Sequence, residues 1–197
     1  MQTPALADTD RAERLAQTLL RHAPPCHPDA GFFAAVLGKR LALGDLGGCG
    51  LTPQELDGLL ARLFPGAAPA ELRAQRAALA APVLDAEQAA FKQMLRGLLQ
   101  AWSVPAADIT AWVTGALAHA CLRPDHLWRD LGLSGREDVT ALLARHYPGL
   151  VARNVGNLRW KQFLAYAAYE RAGLAPAQAP GCPACEDYGV CYPQPLQ

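Results

Sequence analysis

A chain of 197 residues can bury one good core, so a single domain, or one domain with an appendage, is the expected organisation. With 18 basic and 18 acidic residues the formal net charge is +0, which removes any chain-wide electrostatic reason to expect nucleic acid or an anionic membrane as partner. The longest apolar runs, GALAHACL and AALAAPVL, stop well short of the roughly 20 residues a membrane span needs.

From about residue 8 to residue 170 the apolar spacing is helical and no run alternates as a strand does. The expected fold is therefore all-α: a compact bundle of about six to eight helices over 1–170, with an irregular, cysteine-containing tail over 171–197 packed on it. TDRAERLAQTLLRHA opens on capping-type residues and must end before Pro24 and Pro25. GFFAAVLGKRLAL follows and is closed by the glycine-rich GDLGGCG, whose Cys49 reads as an accessible thiol in a flexible turn. Thr52 and Glu55 form a capping box around Pro53, opening a short helix that ends near Phe64 and Pro65. Between Asp85 and Trp102, Phe91, Leu95, Leu98, Leu99 and Trp102 share one face, the pattern of a central core helix.

A further helix is expected from about Pro105 to Cys121. SGRE, Ser134 to Glu137, reads as a second capping box, feeding a helix that buries Val139, Leu142, Leu143 and Tyr147. The last helix, roughly Val155 to Arg171, carries Trp160, Phe163, Leu164 and Ala167 on one stripe, with Arg159 and Lys161 beside it. After Arg171 the composition changes to five prolines, three glycines and no Lys or Arg, an irregular segment with little apolar material of its own. A metal is the obvious agent to order it.

That segment contains GCPACEDYGVCYP, with Cys182, Cys185 and Cys191 in a C-x2-C-x5-C arrangement. Two cysteines separated by two residues can point at one metal, and a third five residues on can fold back to join them. The start MQTPALADTDRAER shows no secretory signal, so a cytoplasmic location is expected, where thiols stay reduced and clustered cysteines read first as ligands. Structural zinc wants four protein ligands; three suit an iron–sulfur cluster with one metal open or completed by a distant residue. The alternatives are zinc completed by a histidine, a C-x-x-C redox pair, or ordinary free thiols. The redox pair ranks below zinc, because such pairs sit at a helix N-terminus after a strand. No phosphate loop, nucleophile elbow or paired metal-binding histidines on a helix is found, so an enzyme with turnover is not expected.

The run HLWRDLGLSGREDVTALLARHYPGLVARNVGNLRWKQFLAYAAYERAG, followed by APGCPACEDYGVCYP, resembles the NifQ family of nitrogen-fixation proteins. Three elements occur in the family's order between Cys121 and Tyr192: an HLW-D-LGL segment, an N-x-x-x-L-R-W-K-Q-F helix, and the cysteine motif. The resemblance implies an oxygen-sensitive iron–sulfur cluster able to incorporate molybdenum, giving a molybdenum–iron–sulfur centre. It implies molybdate as the metal source, with the nitrogenase iron protein and the scaffold that completes the iron–molybdenum cofactor as partners. One departure stands out: the family motif is C-x4-C-x2-C-x5-C, and its first cysteine falls at Ala177. Either another residue supplies the fourth ligand, or the site is open, or this member has lost part of the function.

His126 is the first candidate for a fourth ligand or a molybdenum-facing group, since neutral imidazole ligates metals well. Its plainer reading is a half-buried histidine hydrogen-bonded near Trp128 and Asp130. Cys121 is the second candidate, with a small core residue as its plainer reading. His119, Cys26 with His27, and Cys49 carry less support. Arg153, Asn154, Arg159 and Lys161 border the last helix and could stabilise an anionic cluster or oxyanion, although such charges usually solvate a helix face. Glu186 and Asp187 read as a docking patch or a wet loop. The competing function is a helical interaction protein whose tail is fastened by structural zinc, and after it a thiol oxidoreductase using Cys182 and Cys185.

Overall fold

The computed structural model describes residues 4–79, 82–104 and 108–193, with side chains from residue 7 onward. Every regular element among them is helical. Eight helices of seven or more residues build the body: α1 (Pro4–Leu20), α2 (Ala30–Ala42), α3 (Pro53–Leu63), α4 (Ala70–Ala77), α5 (Ala86–Trp102), α6 (Asp108–Ala120), α8 (Arg136–His146) and α10 (Trp160–Arg171). Three shorter ones, α7 (Leu127–Asp130), α9 (Pro148–Arg153) and α11 (Tyr188–Cys191), shape the loops. None among the described residues is long and apolar enough to cross a membrane.

Helix α5 is the centre of the core. Phe91, Leu95, Leu98 and Leu99 are all buried, and α6 and α10 pack on its two sides. Its start is fixed by a capping box in which the Asp85 carboxylate accepts the Gln88 N–H and the Gln88 side chain accepts the Asp85 N–H. Trp102, expected on the buried face, is only half-buried, with the Arg153 guanidinium 5.2 Å above its ring. The Thr52–Glu55 capping box forms as the sequence implies.

The box expected at Ser134 and Glu137 does not form. Gly135 is the N-cap of α8 and Asp138 is the third helical residue, so its carboxylate accepts the Ser134 N–H at 2.9 Å. The last helix starts at Trp160, not Val155. The Asn154 side chain both donates to and accepts from the Leu158 backbone at 2.9 Å, and Asn157 takes a φ of 50°, so 155–159 turn as a loop. The start of α6 expected near Pro105 lies outside the described residues. Helix α1 extends four to five residues further towards the N-terminus than its capping-type residues suggest.

Two polar networks are buried among these helices. In the first, the His146 ring lies 3.0 Å from both the Thr110 hydroxyl and the Asp29 carboxylate, which also accepts from Arg145 at 2.5 Å. Thr110, His146 and Asp29 are each at most 5% exposed, so this hydroxyl–imidazole–carboxylate chain is sealed from substrate and ties α2, α6 and α8 together. Burial works to raise the Asp29 pKa, but the hydrogen bonds and charges of His146 and Arg145 outweigh it and hold it below 3.8. The second network joins α2 to α7. Arg40, 2% exposed, donates to the Asp130 backbone carbonyl at 2.5 Å and to its carboxylate at 3.0 Å, and Lys39 donates to the Arg129 carbonyl.

Two outcomes follow. Because Asp29 is depressed in the folded state, its stabilising contribution is present above pH 3.8 and is lost as pH falls through its lower folded value. Asp29→Asn should therefore be less stable at neutral pH yet lose less on acidification, as read by urea denaturation across the acid range. Arg40→Met, which leaves the buried Asp130 carboxylate without its partner, should cost about 3 kcal/mol in the same measurement.

Candidate metal centre

The site is built on the turn that follows α6. The Lys161 ammonium, buried on α10, donates to the Arg123 carbonyl at 2.7 Å and to the Asp125 carbonyl, so one cation fastens the 123–125 backbone to α10. The Asp125 carboxylate accepts the His126 N–H at 2.7 Å and so orients the entry to α7. Helix α7 ends at Gly132, whose φ of 70° suits glycine. There the Gly132 N–H returns to the Arg129 carbonyl and the Leu133 N–H to the Trp128 carbonyl, both at 2.9 Å. A Cβ at Gly132 would lie 2.7 Å from the Ala35 carbonyl oxygen of α2.

Against this turn the C-terminal segment folds as two short helical turns, where irregular chain was expected. Cys182–Ala184 form a 3-10 turn, the Cys185 N–H donates to the Cys182 carbonyl at 3.0 Å, and α11 follows. Gly181 makes the closest approach: a Cβ there would sit 2.2 Å from the Arg123 carbonyl oxygen and 2.6 Å from that of Leu122. With its φ at −80°, the position requires glycine for space and not for backbone freedom. The Gln162 side chain of α10 donates to the Cys191 carbonyl at 2.6 Å, clamping the far end of α11.

Between the two walls lies a cavity of about 340 Å³. Cys182, Cys185, Cys191, His126, Arg159 and Lys161 all line it. The structure thus brings together all three motif cysteines, the first-choice histidine and two of the three expected cations. Cys182 is buried and the other two thiols are half-buried. Burial raises the Cys191 pKa, with the Arg159 charge opposing it. Among the described residues no three His, Cys, Asp or Glu converge on a point as ligands of one ion; the thiols surround a space instead.

The remaining candidates fall elsewhere. Cys121 lies within the core, fully buried, and burial pushes its thiol up to about 12. Arg153 pairs with Glu170 at 3.3 Å and caps Trp102, away from the cavity. Cys26 is exposed, and His119 is buried and driven down to about 4 by burial and by Lys92. Cys49 is not an accessible thiol: it closes a 3-10 turn, is 1% exposed, and burial raises its pKa. Ala177 is half-buried and is not among the cavity-lining residues.

Glu186 and Asp187 are engaged within the chain and form a latch. Asp187 accepts from Arg159 at 2.6 Å and lies 3.1 Å from His126 Nε2, and Glu186 accepts from Arg129 at 2.5 Å. His126 therefore meets these carboxylates and stacks on Trp128 at 6.2 Å, while Asp130, its expected neighbour, is taken by Arg40. Tyr188, Tyr192 and Trp160 also line the cavity. Sequence reading missed the two tyrosines as site residues because the tail was expected to be irregular; their four-residue spacing was the available signal.

Fold and site together define an all-helical protein whose C-terminal cysteines border a cation-walled cavity. The family model for NifQ matches residues 30–193. The chain is 34% identical over 170 residues to a NifQ homolog of Sinorhizobium fredii, covering 83% of this chain and 71% of that protein. It is 42% identical over 81 residues to NifQ of Azotobacter vinelandii, covering 41% and 42%, and 29% identical over 144 residues to NifQ of Rhodobacter capsulatus, covering 73% and 74%. The chain belongs to the NifQ family and so to the proteins of nitrogen fixation. No solved structure matches it.

Gly181→Ala should detach the cysteine turn without unfolding the body, since its methyl would collide with backbone that cannot swing aside. The expected result is an unchanged helical circular dichroism signal with faster alkylation of Cys182 by iodoacetamide.

Proposed function

We propose that this protein is an iron–sulfur protein that takes up molybdenum and donates it to iron–molybdenum cofactor assembly for nitrogenase. The observation that carries the reading is the meeting of Cys182, Cys185 and Cys191 around one cavity with His126, Arg159 and Lys161 in its wall. A closed structural zinc site needs no such space, because its four ligands converge on the ion. At about 340 Å³ the cavity has room for on the order of ten waters, taking roughly 30 Å³ for each in the liquid. That volume suits a polynuclear group better than a single ion. The donor set agrees: soft thiolates suit iron–sulfur chemistry, and the guanidinium of Arg159 offsets the negative charge that thiolates and sulfide accumulate.

In this reading the three thiolates hold the cluster. His126, the imidazole at the cavity, replaces the ligand lost at Ala177 by exchanging its Asp187 contact for the metal. When bound, such a centre would supply sulfide donors for molybdenum that arrives as molybdate. The protein acts as a carrier and not as an enzyme. Its cytoplasmic partners are the nitrogenase iron protein and the scaffold that completes the cofactor, because a labile cluster corner must pass its metal by direct contact.

The test is to purify the protein without oxygen, expose it to molybdate, and quantify iron, acid-labile sulfide, molybdenum and zinc on one sample. Iron with sulfide and molybdenum is expected; about one zinc per chain without sulfide, persisting after anaerobic reconstitution, would overturn the reading. Cys185→Ala should lose most of the iron while keeping its helical signal, and His126→Ala should lose more molybdenum than iron.

A further inference from the structure

Cys182 is the most deeply placed of the three motif thiols, and a tyrosine hydroxyl is aimed at it. The Tyr192 O–H donates to Cys182 Sγ across 3.8 Å, a long reach natural to a sulfur acceptor. The ring that carries the hydroxyl is held on two sides. It meets Tyr166 of α10 edge-on at 6.1 Å and 69°, and leans on Tyr188 at 5.2 Å and 34°. Tyr188 is itself anchored, because its hydroxyl donates to the Gln178 side chain at 2.7 Å. The backbone beneath is fixed too: the Tyr192 N–H closes on the Tyr188 carbonyl at 2.9 Å, and Gln162 holds the Cys191 carbonyl. Two neighbouring rings and one clamp thus set the direction of a single phenol.

We infer that Tyr192 is a positioning and tuning residue, its hydroxyl donating a hydrogen bond to the Cys182 thiolate when that sulfur ligates metal. The inference rests on the proposed ligation by Cys182. A thiolate ligand pushes electron density onto its metal, and a hydrogen bond to the sulfur withdraws part of it. The ligated sulfur becomes a weaker donor, and the reduced, more negative state of a cluster is favoured. Tyr192 would so hold the centre at a higher potential than three bare thiolates set. Tyr188, one turn earlier in the same aromatic group, spends its hydroxyl on Gln178 and serves as the internal comparison.

The experiment compares wild type, Tyr192→Phe and Tyr188→Phe, each of which keeps the ring and its packing. Reduced, metal-free protein is titrated with cobalt(II), and the sulfur-to-cobalt charge-transfer band is recorded. In parallel the anaerobically reconstituted cluster is measured by protein-film voltammetry. Expected for Tyr192→Phe is a charge-transfer band at longer wavelength and a lower midpoint potential, with Tyr188→Phe matching wild type in both. Unchanged band and potential in Tyr192→Phe overturn the inference. So do equal shifts in both variants, which would mean a general loosening of the tail. A wild type that binds cobalt(II) but assembles no iron and sulfide would overturn the cluster reading, and the cobalt band would still decide the role of Tyr192.

Discussion

The buried pair of Arg40 and Asp130 is the constraint on which the site depends. Side chains in water gain little from such a pair, but here both partners are almost fully covered, so the Asp130 carboxylate is tolerable only while Arg40, which also pairs with Asp45, is in place. Burial pushes the Asp130 pKa upward against the opposing charges of Lys161 and Arg40. The pair therefore acts less as a source of net stability than as a fixing point. Arg40 also takes the Asp130 backbone carbonyl, and its neighbour Lys39 takes that of Arg129, so α2 grips the backbone of α7 and not merely one side chain. With α7 pinned, His126 at its entry meets the C-terminal segment, its Nε2 3.1 Å from Asp187 and 3.5 Å from Glu186.

The C-terminal segment has little apolar material of its own, and the way it is held explains its composition. Among the described residues it contributes one fully buried apolar side chain, Ala179, and one buried thiol, Cys182. Contacts from the body replace the missing core: Gly181 lies flat on the Leu122–Arg123 backbone, Gln162 holds one carbonyl of α11, and Glu186 and Asp187 meet Arg129, Arg159 and His126. The absence of Lys and Arg after residue 171 fits this arrangement, because the cations needed by its carboxylates are all supplied from upstream. Of these contacts the carboxylate pairs are the most exposed and the most easily exchanged with solvent, whereas the Gly181 contact is steric and either fits or does not.

Much of this was legible in the sequence where a periodic signal spans several turns. The face of Phe91, Leu95, Leu98 and Leu99 and the Thr52–Glu55 box are local patterns with local causes, and both appear as read. Helix α4 escaped because its single buried residue, Leu72, leaves no periodicity; it is anchored by Gln75, which bridges to Leu46 and Leu41. Helix α7 escaped because four residues are too few for a period. Helix α10 was read as an amphipathic stripe, yet Lys161, Gln162, Ala165 and Ala168 are buried as well. Its second face is covered by the Cys121–Asp130 loop and the tail, neighbours that no local pattern announces. The same reason made Cys49 look accessible, since glycines around a thiol report a turn and say nothing of the helices packed over it.

Charge and space at the cavity can be weighed together. Three thiolates in a half-buried site would repel one another strongly unless nearby cations or a metal offset them. Of the lining cations, Lys161 is spent on two backbone carbonyls and Arg159 on Asp187, while Arg136 donates to three neutral oxygens of Asn157 and Leu158. Burial moves Cys191 toward the neutral thiol, with the Arg159 charge opposing it. A metal held by these thiols, as proposed, would require their deprotonated form and would compete with Arg159 for negative partners. The Asp187 carboxylate, which accepts from Arg159 and lies 3.1 Å from His126 Nε2, is the contact such a metal would loosen. On the proposed function, filling the cavity and loosening the latch on α11 would be one electrostatic event.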